Sequence, residues 1–179
     1  MKANFRILLT SFGVLLCLLC TGQEKASSNI QFKEIPLEDI QRFTAWRTDY
    51  YICTGIAYAK SMGQSVEDFA EFVGNLHSLG DPNNATLASV AKTCHLVITS
   101  YPGGKYEIIS ESDSMLVAKW NRPYKVYYKN GSMLGVSLDE FEKYLYGHVA
   151  IMASKLNIDS KYEISENEVI HTLTYKKKN

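Results

Sequence analysis

Residues 102–120 read PGGKYEIISESDSMLVAKW, and a change of pattern within them determines the fold class. Upstream of this stretch, apolar residues recur every three or four positions, which is the period of a helix. From residue 106 onward they alternate, which is the period of a strand. Two alternating runs, 106–111 and 115–120, flank a turn at 112–114 and predict a β-hairpin. The chain therefore changes from helices to sheet here.

Three helices are predicted before the hairpin, over residues 36–62, 66–79 and about 86–98. Pro36 suits the first turn of a helix because its missing N–H is not needed there. Ser65 and Asp68 form a capping box for the second helix. The third helix has three candidate caps: Asn83, Asn84 and Thr86. Gly55 and Gly74 interrupt helical patterns, and we expect another part of the chain to approach closely at both.

After the hairpin the chain extends, returns to helix and ends in strands. Residues 124–129 predict a strand or extended segment, and Asn130 with Gly131 predicts a turn. Ser137 and Glu140 form a full capping box, which opens one long helix. A second hairpin is predicted from the last two alternating runs, 161–165 and 169–175.

This order predicts an α+β fold. Three N-terminal helices precede an antiparallel sheet of about four strands, which one long helix interrupts. The helices are expected to cover one apolar face of the sheet, while the other face is wet or packs against a partner. We expect a single domain over residues 36–175.

Composition sets the size and class of the protein. The chain has 179 residues, 46% of them hydrophobic and 12% aromatic, and its formal net charge is zero. Removing a leader of residues 1–22 leaves 157 residues, enough for one domain with a sizeable core. The composition is not that of a disordered, collagen-like or coiled-coil chain. Without a basic surplus, the sequence predicts no binding of nucleic acid.

The first residues have the pattern of a secretory signal peptide, assigned to 1–22. Lys2 and Arg6 precede an apolar run at 7–19, which is shorter than the roughly 20 residues of a membrane span. A buried N-terminal helix is the alternative. We expect a periplasmic or secreted protein, or one anchored by lipid in the cell envelope.

Two processing sites are consistent with this leader. One is cleavage after Gly22. The other is a lipobox that ends in Cys20, and a lipid anchor at Cys20 is then the predicted contact with a membrane. A polar arm follows at 23–35, and a basic tail closes the chain at 176–179.

The cysteines and histidines give no catalytic or metal signature. Cys53 and Cys94 both lie in apolar helical patterns, so they form either one disulfide or two buried free thiols. The four histidines lack the spacing of a metal site. We therefore expect no metal and no cofactor.

Aromatic residues cluster on the first helix. Trp46, Tyr50 and Tyr58 lie within about a third of its circumference, so we expect them on its buried side. They form either an aromatic seam of the core or one wall of a ligand pocket. His148 lies on the apolar face of the long helix, where it either bonds to a backbone carbonyl or serves a ligand. These four are the candidate ligand-binding residues.

Arginines near aromatic residues are further candidates. Arg42 or Arg47, beside the first-helix aromatics, could pair with a ligand carboxylate. Trp120, Arg122 and Tyr124 alternate, so they share one face of a predicted strand. Together they either hold an anion or a ring, or simply place Arg122 against an exposed sheet face.

Two stretches resemble a known family. One reads GIAYAKSMG at 55–63, with VEDF at 66–69 and FVG at 72–74; the other is the helix at 144–158 that runs into the final strands. In these stretches and in element order, residues 36–175 resemble the TRAPP-subunit and vinyl-reductase ligand-binding family, which includes the L-2-amino-thiazoline-4-carboxylic acid hydrolase-like proteins. The resemblance implies that small apolar molecules, tetrapyrrole precursors or acyl chains bind between helices and sheet.

The same resemblance supplies no catalytic residue. Some family members carry cysteine-rich metal or catalytic positions after the third helix, but residues 120–124 here read WNRPY. We therefore expect an exported domain that binds a small apolar ligand or a partner, without chemistry and without converging polar groups in its pocket. One alternative is an exported hydrolase that uses Cys94 or His148, with a cysteine and a histidine in hydrogen-bond reach at a cleft. The other is a homodimer or envelope-assembly component, with an exposed apolar sheet face.

Overall fold

The computed structural model describes residues 34–79 and 84–176. The predicted signal peptide, Cys20, all but the end of the polar arm and the last three residues of the basic tail lie outside the described residues. From Ile35 onward, the described chain belongs to one compact unit. In chain order its elements are α1 (Leu37–Ser61), α2 (Val66–Leu76), α3 (Leu87–Thr99), β1 (Tyr106–Glu111), β2 (Met115–Asn121), a 3-10 helix (Pro123–Tyr128), β3 (Ser132–Met133), β4 (Val136–Ser137), α4 (Leu138–Ser154), β5 (Ile158–Ile164) and β6 (Glu168–Tyr175).

The predicted α+β architecture is confirmed. Strands β1, β2, β6 and β5 form one antiparallel sheet in that order, and α4 lies between its strands in sequence. Both predicted hairpins form, and β2 pairs with β6 at the centre of the sheet. Leu116 lies opposite Leu173 and Trp120 opposite Val169, and all four are buried.

The other face of the sheet is polar. Lys119 forms an ion pair with Glu107 across β1 and β2, at 3.2 Å. Lys161 and Glu163 of β5 are exposed. Alternation along each strand produces this division, because successive side chains point to opposite faces. This face is mostly polar, but Met115 and Ile170 on it are 40% and 37% exposed.

Local capping signals place the helix starts correctly. Ser65 with Asp68 and Ser137 with Glu140 form the predicted capping boxes. At α3 the cap is Thr86, which exchanges hydrogen bonds with Ser89. These caps satisfy backbone N–H groups that a helix start leaves without partners.

The predicted strand at 124–129 is wrong, because this segment forms the 3-10 helix. Pro123 starts the turn with a fixed φ and no N–H to satisfy. Tyr124 and Tyr128, one helical turn apart, are buried, whereas Val126 between them is 52% exposed. A strand would have placed all three on one face.

The expected burial on α1 is wrong for Trp46 and Tyr58, whereas Tyr50 packs partly against the core. Trp46 is 38% and Tyr58 67% exposed, and Tyr50 is half-buried. The buried face carries small residues and one carboxylate instead: Ala45, Asp49, Cys53, Ile56 and Ala59. Small side chains allow α1 to lie close to the rest of the domain, so the large aromatics point outward.

Gly74 lies where α2 meets α4 most closely. A Cβ at this position would lie 2.7 Å from Cβ of Ile151 and 2.8 Å from the backbone oxygen of His148. Gly55 similarly faces the ring of Phe69, which a Cβ would approach to 2.9 Å. The close approaches predicted at both glycines are therefore confirmed.

We expect Gly74→Ala to destabilise the protein by about 1–3 kcal/mol, because the added methyl group overpacks the contact between α2 and α4. In an unobstructed helix the same change would stabilise by about 1 kcal/mol, so the sign is diagnostic. Urea denaturation measures the free energy of unfolding. Asn75→Ala, at the exposed neighbouring position, is the control. A Gly74→Ala variant as stable as the parent would contradict this packing.

Candidate functional site

A cleft lies between α3 and α4, above the helix-facing side of the sheet. The backbone of α4 lies close to that of α2 and farther from that of α3, and the cleft occupies the wider gap. The volume of the cleft is about 50 Å³. Its walls and floor include residues from both helices and from strands β2 and β5: Cys94, Val97, His148, Val149, Trp120 and Tyr162.

Trp120, Tyr146 and Tyr162, which line the cleft, belong to a larger stack of aromatic rings. Tyr162 lies parallel to His171, with ring centroids 4.2 Å apart, and also stacks on Tyr146 at 4.5 Å. Trp120 stacks on Tyr106 at 5.4 Å and meets His171 edge-on. The sheet register creates this cluster, because Tyr162 lies opposite His171 on β5 and β6, and Tyr106 lies opposite Trp120 on β1 and β2.

Four buried polar atoms of this cluster make no well-formed hydrogen bond within the described part of the chain, although the Tyr162 hydroxyl interacts with Ser160 and Cys94, and the Trp120 N–H with Tyr146. The four atoms are the hydroxyls of Tyr106 and Tyr162, Nε1 of Trp120 and Nδ1 of His171. Most buried polar groups in native proteins have a hydrogen-bond partner, so each group without a partner needs an explanation. All four can donate a hydrogen bond, and the indole N–H can only donate. The cluster therefore presents donors that lack well-formed hydrogen bonds.

His171 is a neutral histidine of the interior. Its Nε2 lies 2.8 Å from Oγ of Ser160, and burial lowers its pKa to about 3. A serine nucleophile with a histidine base normally needs a third group to orient the base. Nδ1 of His171 has no such partner among the described residues. The pair is therefore better suited to holding the ring in place than to nucleophilic catalysis.

Cys94 and His148 line the same cleft without forming a catalytic pair. Burial raises the pKa of Cys94 to about 12, against a smaller opposite effect of the Tyr162 hydroxyl, so the thiol stays protonated. Nδ1 of His148 donates to the backbone oxygen of Tyr144 at 2.9 Å, which is the carbonyl bond that the sequence predicted. No hydrogen bond joins Cys94 to a histidine within the described residues. Cys53 and Cys94 are free thiols, so the predicted disulfide alternative does not form.

The other three candidate residues are not at the cleft. Trp46, Tyr50 and Tyr58 lie on α1, and only His148 of the four candidates lines the cleft. Tyr162 and His171 were not predicted as site residues, although both alternate with less buried neighbours in the predicted second hairpin. Alternation places a residue on a face, but it does not show which strands lie side by side.

Arg122 belongs to a buried network rather than to an exposed sheet face, which corrects both interpretations of the sequence. Its Nε and Nη2 donate to the two carboxylate oxygens of Glu142, at 2.7 and 2.6 Å. Nη1 donates to the backbone oxygens of Ser165 and Glu166 in the turn between β5 and β6. Tyr124 also donates to Glu142, at 2.7 Å, and its oxygen accepts from Tyr146. Every charge here has a partner, so the network is closed to an added anion.

Asp49 is a second buried carboxyl group, on the inner face of α1. The hydroxyl of Tyr101 donates to its Oδ1 at 2.5 Å, whereas Oδ2 has no partner within the described residues. Burial raises the pKa of Asp49 to about 7, although the Tyr101 hydrogen bond acts in the opposite direction. Arg42, predicted to pair with a ligand carboxylate, instead pairs with Glu38 and Asp39 on the surface of α1.

No protein-family model, curated protein or solved structure matches the chain. The family resemblance therefore remains a prediction. Among the described residues, no group of three or more histidine, cysteine, aspartate or glutamate side chains is placed to hold a metal ion. In the same residues, no helix combines the length and apolar character that crossing a bilayer requires.

Proposed function

We propose that this domain binds a small, planar, neutral molecule in the cleft between α3 and α4. The observation that carries the proposal is that Trp120 and Tyr162, which line the cleft, carry two buried donors without a well-formed hydrogen bond among the described residues. A buried polar group without a partner costs about 1–3 kcal/mol. A ligand that offers hydrogen-bond acceptors to this cluster would remove that cost while its ring stacks on the floor.

The electrostatics of the cleft favour a neutral ligand. No lysine, arginine, aspartate or glutamate of the described residues lines it. Burial keeps His171 uncharged at neutral pH and keeps the Cys94 thiol protonated, because it lowers the pKa of the first and raises the pKa of the second. An ionised ligand would lose its hydration without meeting an opposite charge, which is costly in an apolar site.

The size of the cleft requires a movement on binding. About 50 Å³ exceeds the roughly 30 Å³ of one liquid water, but it is smaller than ligand pockets of about 300 Å³ or more. Widening the cleft requires α3 and α4 to separate, which disturbs fewer close backbone contacts than separating α4 from α2 would. Val97, 41% exposed at the rim, would then be displaced first.

Acetophenone is a suitable probe, because it is planar and neutral and carries one carbonyl acceptor. In a Trp46→Phe background, Trp120 is the single tryptophan and reports on the floor of the cleft. We expect acetophenone to change Trp120 fluorescence, with ethylbenzene and benzoate binding at least about tenfold more weakly. Ethylbenzene leaves the donors unpaired, and benzoate adds a charge.

Tyr162→Phe separates binding from stability. Its hydroxyl makes no well-formed hydrogen bond among the described residues, so its removal should change the melting temperature little. The same change should weaken acetophenone binding about tenfold, which corresponds to one lost hydrogen bond. Tyr50→Phe on α1 is the matched control and should not change the affinity. If acetophenone leaves Trp120 fluorescence unchanged and native mass spectrometry finds no co-purified small molecule, the proposal fails.

The proposed setting is outside the cytoplasm, as the leader predicts. The hydrolase alternative has less support, because the Cys94 thiol has a raised pKa and no histidine of the described residues bonds to it. A ligand-holding role needs no catalytic residue, and the proposal assigns none.

A further inference from the structure

The side of α1 that faces away from the domain forms a continuous surface rich in apolar residues, which we call the outward face: Ile40, Phe43, Arg47, Tyr51, Thr54 and Tyr58. Phe43, Tyr51 and Tyr58 are 57%, 66% and 67% exposed. This face lies opposite the buried side of the helix, so α1 has apolar residues on two opposite sides. A helix with that property is normally covered on both of them.

The outward face is large enough for a specific contact. Residues 40–58 extend over about 27 Å of helix, at roughly 1.5 Å per residue. Neighbouring Trp46 adds a further exposed ring and lies 5.9 Å from Phe43. Four large aromatics on each of two copies would together bury roughly 1,000 Å², which is the lower bound for a specific interface.

The order of residues on the outward face is self-complementary. In an antiparallel pair of α1 helices with a two-fold axis beside residue 49, Ile40 meets Tyr58 of the second copy. Arg47 likewise meets Tyr51 of the second copy, and the symmetry repeats both contacts. Arg47 is the only charged residue of the face, and this register places it over an aromatic ring rather than over another charge. Its guanidinium already lies over the Phe43 ring of its own helix, at 5.8 Å.

We propose that two copies of this chain associate through the outward faces of their α1 helices, packed antiparallel with Arg47 of each against Tyr51 of the other. The interface is independent of the cleft, because no residue of the outward face lines it. Aromatic residues and arginine are the types that protein interfaces favour. The isologous arrangement closes on itself, so the product is a dimer rather than a filament.

Sedimentation velocity over a range of concentrations tests the proposal with two single variants. Tyr51→Arg should weaken the dimer at least tenfold, because it places two arginines opposite each other on both sides of the axis. Arg47→Glu should also weaken it, because the cation over Tyr51 is lost. Circular dichroism of each variant confirms that the exposed substitutions leave the fold intact.

Mixing the two single variants is the decisive measurement. In the mixed pair, the introduced glutamate of one chain would face the introduced arginine of the other, while the unchanged Arg47 and Tyr51 would face each other. A heterodimer should therefore form about as tightly as the parent dimer. Pairing within one helix cannot produce this rescue, because neither variant contains both substitutions. The control is Ile109→Arg, at an exposed position of β1, which should leave the dimer unchanged.

Three results would overturn the proposal. The parent protein could be monomeric at all concentrations, or the mixed variants could fail to associate. Alternatively, Ile109→Arg could abolish a dimer that the α1 variants leave intact, which would assign the contact to the strand edge. A monomer whose Trp46 fluorescence shifts on phosphatidylglycerol vesicles would assign the outward face to a lipid surface instead. None of these outcomes affects the acetophenone test of the cleft.

Discussion

Replacing Glu142 by Gln is expected to lower the free energy of unfolding by about 3–5 kcal/mol. The side chains of Arg122 and Glu142 are only 10% and 5% exposed, so loss of the negative charge leaves a buried guanidinium without its counterion. Tyr124 loses a charged acceptor at the same time. Guanidinium chloride denaturation followed by circular dichroism measures the loss.

Two controls test whether the loss of stability comes from the burial of the charge rather than from the loss of an ion pair. Lys143→Ala removes an exposed partner of Glu67 and Asp139 and should change stability little. The double change Arg122→Met with Glu142→Leu should recover most or all of the loss caused by Glu142→Gln, about 3–5 kcal/mol, because no charge remains buried. A Glu142→Gln variant as stable as the parent would contradict the closed network.

Asp49→Asn is expected to stabilise the protein at pH 8 by about 1–3 kcal/mol: removing the ionisation is worth about 4 kcal/mol, at about 1.4 kcal/mol for each pKa unit, and burying an amide N–H₂ without an acceptor costs about 1–3 kcal/mol. The pKa of Asp49 is about 7 in the folded protein, against an ordinary value of 3.8. The folded state binds the proton more tightly, so the contribution of Asp49 to stability falls as the pH rises from about 4 to about 7 and then stays constant. Asparagine cannot ionise and avoids this loss.

The difference between parent and variant is the quantity to measure. His171 is neutral in the fold, with a pKa of about 3, so it destabilises the protein as the pH falls below about 6.5. In the stability of each protein against pH, the effect of His171 opposes the effect of Asp49. It cancels when the stability of the parent is subtracted from that of Asp49→Asn. We expect the advantage of Asp49→Asn to grow by about 2–3 kcal/mol between pH 5 and pH 8. A stability difference between Asp49→Asn and the parent that does not depend on pH would contradict a raised pKa of Asp49.

Features that depend on neighbours in sequence were predictable, and features that depend on which surface is buried were not. The capping box at Ser137 involves residues three positions apart, so the sequence contains all of it. The phase of α1 was wrong because both of its faces carry apolar residues. A count of large residues selected the face with Trp46 and Tyr58, whereas the domain buries the face with Ala45 and Ala59.

The residues of the cleft were only partly predictable from the sequence for the same reason. His148 was a candidate because its helix has one clear apolar face. Tyr162 and His171 become part of the site only through the register of β5 on β6, and Trp120 joins them through the pairing of β2 with β6. Glu142 was overlooked because a glutamate on a helix is normally exposed. Its burial depends on Arg122, twenty residues earlier in the chain.

The strand order has a consequence for the time course of folding. β2 lies at the centre of the sheet, but its second partner is the last described strand, so Leu116 cannot be covered until Leu173 has been synthesised. A chain that emerges with its N-terminus first can form only the β1–β2 hairpin, and an isolated hairpin is marginally stable at best. Non-local pairing of this kind slows folding and leaves apolar strand positions open to aggregation. The four-stranded sheet therefore cannot form completely until the eight residues of β6 are free to pair. While a ribosome or translocation channel still holds these residues, the domain cannot complete its fold.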